Sequence, residues 1–156
     1  MTKDELKVHL QHPNVQAFLV ALRLGEGTSD EQGYQRIVGG DLFEDFSAHP
    51  NQRVWIPRYN VYSTAAGAYQ ILKRTWDEMV EAYGLTDFSP ENQDLAAVGL
   101  VNRRQALQDV LAGRLWEAIN KCNKEWASLP GSPYGQRTEA LDRVTEVYKA
   151  NGGTVV

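Results

Sequence analysis

The sequence is poor in the groups that cross-link or anchor a chain. It holds one cysteine, Cys122, which excludes an internal disulfide and a cysteine-rich zinc site. Its three histidines, His9, His12 and His49, are scattered and form no ligand pattern, so neither a metal nor a cofactor is expected. No apolar run approaches the about 20 residues needed to cross a bilayer, which argues against stable membrane association. The opening stretch Met1–Glu5 lacks the apolar segment of a secretory signal. With the lone thiol, this predicts synthesis in a reducing cytoplasm. Positive charge is not in excess either. Sixteen Lys and Arg stand against 20 Asp and Glu, a net charge of −4, so nucleic acid is not an expected partner.

What remains suits one globular domain spanning residues 1–156. A chain of this length buries roughly 68–70% of its unfolded surface. Its 42% hydrophobic content is enough for a core, and its 23% charged content is too ordinary for disorder.

Thr2 and Glu5 resemble a capping box opening a short helix, which Pro13 ends. Asn14 then caps a second helix, whose apolar face is Val15, Phe18, Leu19 and Leu22. Gly25 and Gly27 close it and frame Glu26. Residues 28–67 are rich in Gly and Pro, with short apolar stretches at Tyr34–Val38 and Val54–Ile56 that read as strands. Such a segment on a helical scaffold commonly walls a cleft. From Ile71 onward the pattern is helical. Ile71 to Tyr83 form one helix. Ser89-Pro90 starts a second. Short helices follow near Gln108–Leu111 and from Leu115 towards Trp126, and a last one carries Leu141, Val144, Val147 and Tyr148. Trp76, Trp116 and Trp126 lie on helical apolar faces and are expected in the core, as is Cys122. Trp55 can face either way. The class is α+β: mainly helices plus one small β-rich lobe.

Glu26, in Leu24-Gly25-Glu26-Gly27-Thr28, sits where a helix gives way to the β-rich segment. Breaking a glycosidic bond requires protonation of the leaving oxygen. A carboxyl half-buried against apolar walls holds its proton up to a pKa of about 6. The negative end of a helix dipole favours the protonated form further. A Glu between two glycines is also a common solvated turn residue, so this motif alone leaves both readings open.

The remaining motifs form an ordered series. They are Gly33-Tyr34, Ile37 to Phe43, Asp45 to Pro50, Ser63 to Leu72, Asp87 to Pro90 with Gln93-Asp94, Trp126 to Gly131, and Tyr134-Gly135-Gln136. From about Val15 to Val156 this series resembles the lambda endolysin family of murein lytic transglycosylases. The first residues, through His12, match poorly, so residues 1–13 are read as an N-terminal extension. Other departures are Phe46 for Tyr, Ala65 for Gly and Ala68 for Arg.

The resemblance implies a lysozyme-like fold with one catalytic glutamate, Glu26, in a cleft between two lobes. It implies cleavage of the β-1,4 bond between N-acetylmuramic acid and N-acetylglucosamine in peptidoglycan. The muramoyl 6-hydroxyl closes on the anomeric carbon, leaving a 1,6-anhydro end. Gln70 is expected to bind N-acetyl or hydroxyl groups. Tyr134 is expected to reach substrate from its Pro/Gly-rich loop, and Tyr69 either stacks on sugar or packs in the core. Ser63, Thr64 and Thr28 bond sugar or cap turns, with turn capping favoured for Thr28. Asp45 is the candidate second carboxylate. The implied partners are peptidoglycan glycan strands and a holin, for a monomer made in the host cytoplasm and acting at the wall. Two alternatives stand beside this reading. One is a hydrolytic muramidase using Asp45 or a bound water. The other is a catalytically silent glycan-binding module.

Overall fold

The first turn of the chain is held by a reciprocal capping box: Thr2 Oγ1 accepts from Glu5 N–H at 3.2 Å, and Glu5 Oε1 accepts from Thr2 N–H at 3.2 Å. Helix α1 (Lys3–Leu10) follows and packs against α4, seating Leu6 in the core with no exposure. The N-terminal extension is thus part of the folded body. The computed structural model describes all 156 residues.

Helix α2 (Pro13–Glu26) starts differently from expectation. The cap is His12, whose Nδ1 accepts from Asn14 N–H at 3.1 Å, and Pro13 is the first helical residue. Proline is tolerated there because its missing N–H has no partner in the first turn. Asn14 points inward instead. Its amide donates to Val110 O at 3.1 Å and its carbonyl accepts from Thr154 N–H at 3.0 Å, tying α2 to the C-terminal segment. The apolar face Val15, Phe18, Leu19 and Leu22 is buried as its spacing predicts.

The other helices are α3 (Lys73–Tyr83), α4 (Pro90–Arg103), α5 (Leu107–Leu111), α6 (Leu115–Cys122) and α7 (Leu141–Ala150). Ser89 caps α4, with its Oγ accepting from Asn92 N–H and Pro90 in the first helical position. Helix α4 is the central one, with Leu95 to Val101 all buried. Trp76 and Trp126 are buried as expected, but Trp116 is 51% exposed. Leu115, Ala118, Ile119 and Cys122 make the i, i+3, i+4, i+7 stripe of α6, and Trp116 lies about 100° off it.

The β-rich lobe is smaller than the sequence suggests. Only β1 (Val54–Ile56) and β2 (Val61–Ser63) form a ladder, an antiparallel hairpin pairing Val54 with Ser63, Trp55 with Tyr62 and Ile56 with Val61. Tyr34–Val38 is not a strand. A 3₁₀ turn occupies Gly33–Gln35, and Arg36 and Ile37 make only single bridges, to Leu42 and Ala66. The reason is local. A Cβ on Gly33 would lie 1.9 Å from Thr28 O, so the chain is folded tightly against the end of α2 there. Gly39 and Gly40 then turn it with positive φ, leaving no length for a ladder.

Candidate active site

Glu26 is the last residue of α2, and Gly27 ends the helix in the left-handed conformation at φ +72°. The carboxyl therefore stands at the negative end of a 14-residue helix. It lines an open cavity of about 420 Å³ between the helical body and the hairpin. Ser63, Tyr59 and Tyr62 come to this cavity from the hairpin, Gln70 from the segment before α3, and Glu125 and Gln136 from the chain after α6.

Ser128 Oγ–H donates to Glu26 Oε2 at 2.7 Å across 102 residues of sequence. Burial pushes the Glu26 carboxyl up from 4.5 to about 7, against a smaller lowering by the Ser128 hydrogen bond. At neutral pH the group is thus split between its acid and its carboxylate forms. A carboxyl in that state both gives and takes protons efficiently.

Of the residues singled out from the sequence, Glu26, Ser63 and Gln70 meet in this cavity. Ser63 Oγ accepts from Ala65 N–H at 3.2 Å. Gln70 adopts φ +48°, and its amide nitrogen donates to Gly67 O at 2.8 Å and Arg36 O at 3.0 Å. Those bonds turn the amide nitrogen towards protein carbonyls, so the carbonyl oxygen is the end left for a ligand.

The other candidates lie elsewhere. Tyr69 is 2% exposed and its hydroxyl donates to Asp94, which also accepts from Tyr34 at 2.8 Å. It is a core residue and offers no sugar-stacking face. Thr28 is fully buried, with Oγ1 donating to Ala68 O, so it joins α2 to the cleft floor and does not touch ligand. Thr64 Oγ1 accepts from Lys73 N–H at 3.0 Å at the start of α3. Tyr134 is exposed, but its hydroxyl donates to Lys124 O at 3.0 Å and it does not line the Glu26 cavity. Asp45 faces a different cavity, with Glu44 and His49, and accepts from Ser47 N–H at 2.8 Å, which holds its carboxyl below the usual range. It is a turn residue, not a carboxylate opposed to Glu26. His49 is buried, accepting from Asn51 N–H through Nδ1 and donating from Nε2 to Ile71 O. No group of three or more His, Cys, Asp or Glu stands close enough to hold a metal ion.

Sequence reasoning missed Ser128, Tyr59, Tyr62, Glu125 and Gln136. Ser128 and Gln136 lie inside motifs already noted, Trp126 to Gly131 and Tyr134 to Gln136. Nothing local marks Glu125, Tyr59 or Tyr62.

Residues 16–155 match the family described as Endolysin. The endolysin of Escherichia phage lambda is 42% identical over 145 residues, covering 89% of this chain and 91% of the relative. That of Escherichia phage P2 is 39% identical over 156 residues, covering 91% and 94%. The structure superposes on that of phage lambda lysozyme complexed with a chitohexasaccharide with a TM-score of 0.86, at 41% identity, covering 92% of this chain and 97% of the other. A second lambda lysozyme structure gives a TM-score of 0.83 at 39% identity. With a lysozyme-like body, a protonatable glutamate at the end of α2 and similarity over nine-tenths of its length, the chain belongs to the endolysin family.

Proposed function

We propose that this endolysin-family enzyme is a lytic transglycosylase of bacterial peptidoglycan. It cuts the β-1,4 bond between N-acetylmuramic acid and N-acetylglucosamine. The observation that carries the reading is the Glu26 carboxyl, poised near 7 in the cavity beside the hairpin. A transglycosylase asks one group to be acid in the first half of the reaction and base in the second, and a pKa near the working pH serves both halves. In the first half, Glu26 donates its proton to the glycosidic oxygen as the bond from the anomeric carbon breaks. The substrate's own N-acetyl oxygen stabilises the electron-poor anomeric carbon. In the second half, the Glu26 carboxylate takes the proton of the muramoyl 6-hydroxyl, whose oxygen bonds to the anomeric carbon. The product is a 1,6-anhydro end, no water is consumed, and Glu26 is reprotonated.

The relative solved with a chitohexasaccharide supports a cleft that takes β-1,4-linked N-acetylated sugars. By the same family argument the protein works as a monomer, accumulates in the host cytoplasm, and reaches the wall once a holin opens the membrane.

The test is mass spectrometry of soluble fragments from purified peptidoglycan digested with this protein. Anhydro-muramoyl ends, lighter by one water than reducing ends, are the expected result. Reducing muramic acid ends would overturn the transglycosylase in favour of a hydrolytic muramidase. No fragments at all would favour a silent binding module.

A further inference from the structure

The Glu26 cavity contains a second carboxylate, Glu125, to which the proposed reaction gives no task. Glu125 sits in the turn after α6, where its N–H donates to Cys122 O at 2.9 Å. The next residue fixes that turn: the Trp126 indole N–H donates to Tyr69 O at 3.1 Å, beside Gln70. The carboxylate is oriented as well as placed. Its Oε1 accepts from Arg103 Nη2 at 3.2 Å and from Arg104 Nε at 3.1 Å, and the side chain is only 12% exposed. Its other oxygen, Oε2, makes no hydrogen bond within the chain and keeps solvent access.

We propose that Glu125 is a substrate-binding residue whose Oε2 accepts a hydrogen bond from a hydroxyl or acetamido N–H of the glycan strand. This rests on the reading of the cavity as a glycan cleft. Three observations favour it. First, the acceptor is held by two guanidinium groups before any ligand arrives, so binding costs little side-chain ordering. Second, Arg103 also pairs with Glu78 at 2.8 Å and Arg74 stands 3.9 Å from Glu78, so three guanidinium groups face two carboxylates. A cluster with no surplus negative charge does not select an ammonium group. It suits a neutral donor, and each N-acetylated sugar ring offers several. Third, Glu125 stands with Gln70 and Leu72 at the junction of the cleft with a recess of about 60 Å³ bounded by Thr75, Leu100 and Trp126. One water needs about 10–15 Å³ of such space, so the recess has room for a substituent of about four heavy atoms, the size of an acetamido group. Gln70 offers its carbonyl oxygen at the same junction. The two acceptors then flank one sugar unit.

The experiment is isothermal titration with chitohexaose in a Glu26→Gln background, which removes turnover and does not depend on the product formed. Adding Glu125→Ala is expected to raise Kd about tenfold, about 1.4 kcal/mol, with the stoichiometry unchanged. Adding Glu78→Gln breaks the same ion-pair cluster away from the cavity and should leave Kd within twofold. An unchanged Kd for Glu125→Ala overturns the proposal. So does a fall in stoichiometry at constant Kd, because a purely structural ion pair would lower only the folded fraction. A third result that overturns it is unchanged binding with lost turnover when Glu125→Ala is made with Glu26 intact, which would make Glu125 a catalytic group. If the Glu26→Gln parent does not bind chitohexaose, the glycan-cleft reading falls, and this proposal with it.

Discussion

Replacing Glu26 by Gln should abolish activity and yet stabilise the protein, by an amount that grows with pH. The folded carboxyl titrates at about 7 against an ordinary value of 4.5 because burial disfavours its charged form. At pH 4 and below the group is largely protonated in both the folded and the unfolded chain and contributes no difference. Between about 4.5 and 7 the unfolded chain releases this proton while the folded protein keeps it. The unfolded state then binds fewer protons, so stability falls as pH rises. Above about 7 both states are ionised and the loss is complete. At about 1.4 kcal/mol per pH unit, the gap between 4.5 and about 7 amounts to about 3 kcal/mol. Gln has a similar shape, still accepts from Ser128, and has no such dependence. The variant should therefore match the parent near pH 4.5 and exceed it by about 3 kcal/mol at pH 8, roughly 6–12 °C in Tm for a domain of this size. Urea unfolding followed by circular dichroism at pH 4.5, 6, 7 and 8 measures this directly. An offset that stays constant with pH, or a parent that gains on the variant as pH rises, would refute the argument that burial sets the Glu26 proton affinity.

Ser128→Ala removes the hydrogen bond that lowers the Glu26 pKa, so the basic limb of the activity profile should move to higher pH. Turbidity clearing of cell-wall suspensions between pH 5 and 9 would detect it. Gly25→Ala places a Cβ 2.4 Å from Ser128 Oγ and 2.9 Å from its Cβ, displacing the loop from Glu26. Activity should fall at least about tenfold, since a misplacement of about 1 Å can cost more than that. The gain from Ala in a helix, about 1 kcal/mol, partly offsets the crowding and should keep the variant folded by circular dichroism. Tyr69→Phe removes the hydroxyl that donates to Asp94 and should cost about 1–2 kcal/mol of stability in urea unfolding. Chitohexaose affinity should stay within twofold, whereas a large loss would return Tyr69 to the binding surface.

Helix identity was legible wherever the code is short-range. The apolar stripe of α2, the Thr2–Glu5 box and the Ser89-Pro90 start each depend on residues within one or two turns, and each stands as read. The start of α2 was misplaced by two residues because proline breaks a helix interior but suits a first turn. Tyr34–Val38 has strand-like composition, yet the close approach at Gly33 and the turn at Gly39-Gly40 override it. The strand expected at Val54–Ile56 does form, because a partner, Val61–Ser63, lies a short turn away.

The sequence alone determined the family, the mainly helical class and the position of Glu26 between two glycines, because these are carried by order and spacing along the chain. It could not determine which polar side chains share space with that carboxyl. Ser128 meets Glu26 across 102 residues, and Glu125 reaches the same cavity from the far side of α6. Tyr69 and Gln70 are neighbours in the chain, but one enters the core and the other lines the cleft. The proton affinity of Glu26 likewise belongs to the tertiary structure. Burial is a property of everything packed around a group, and the two flanking glycines specify none of it.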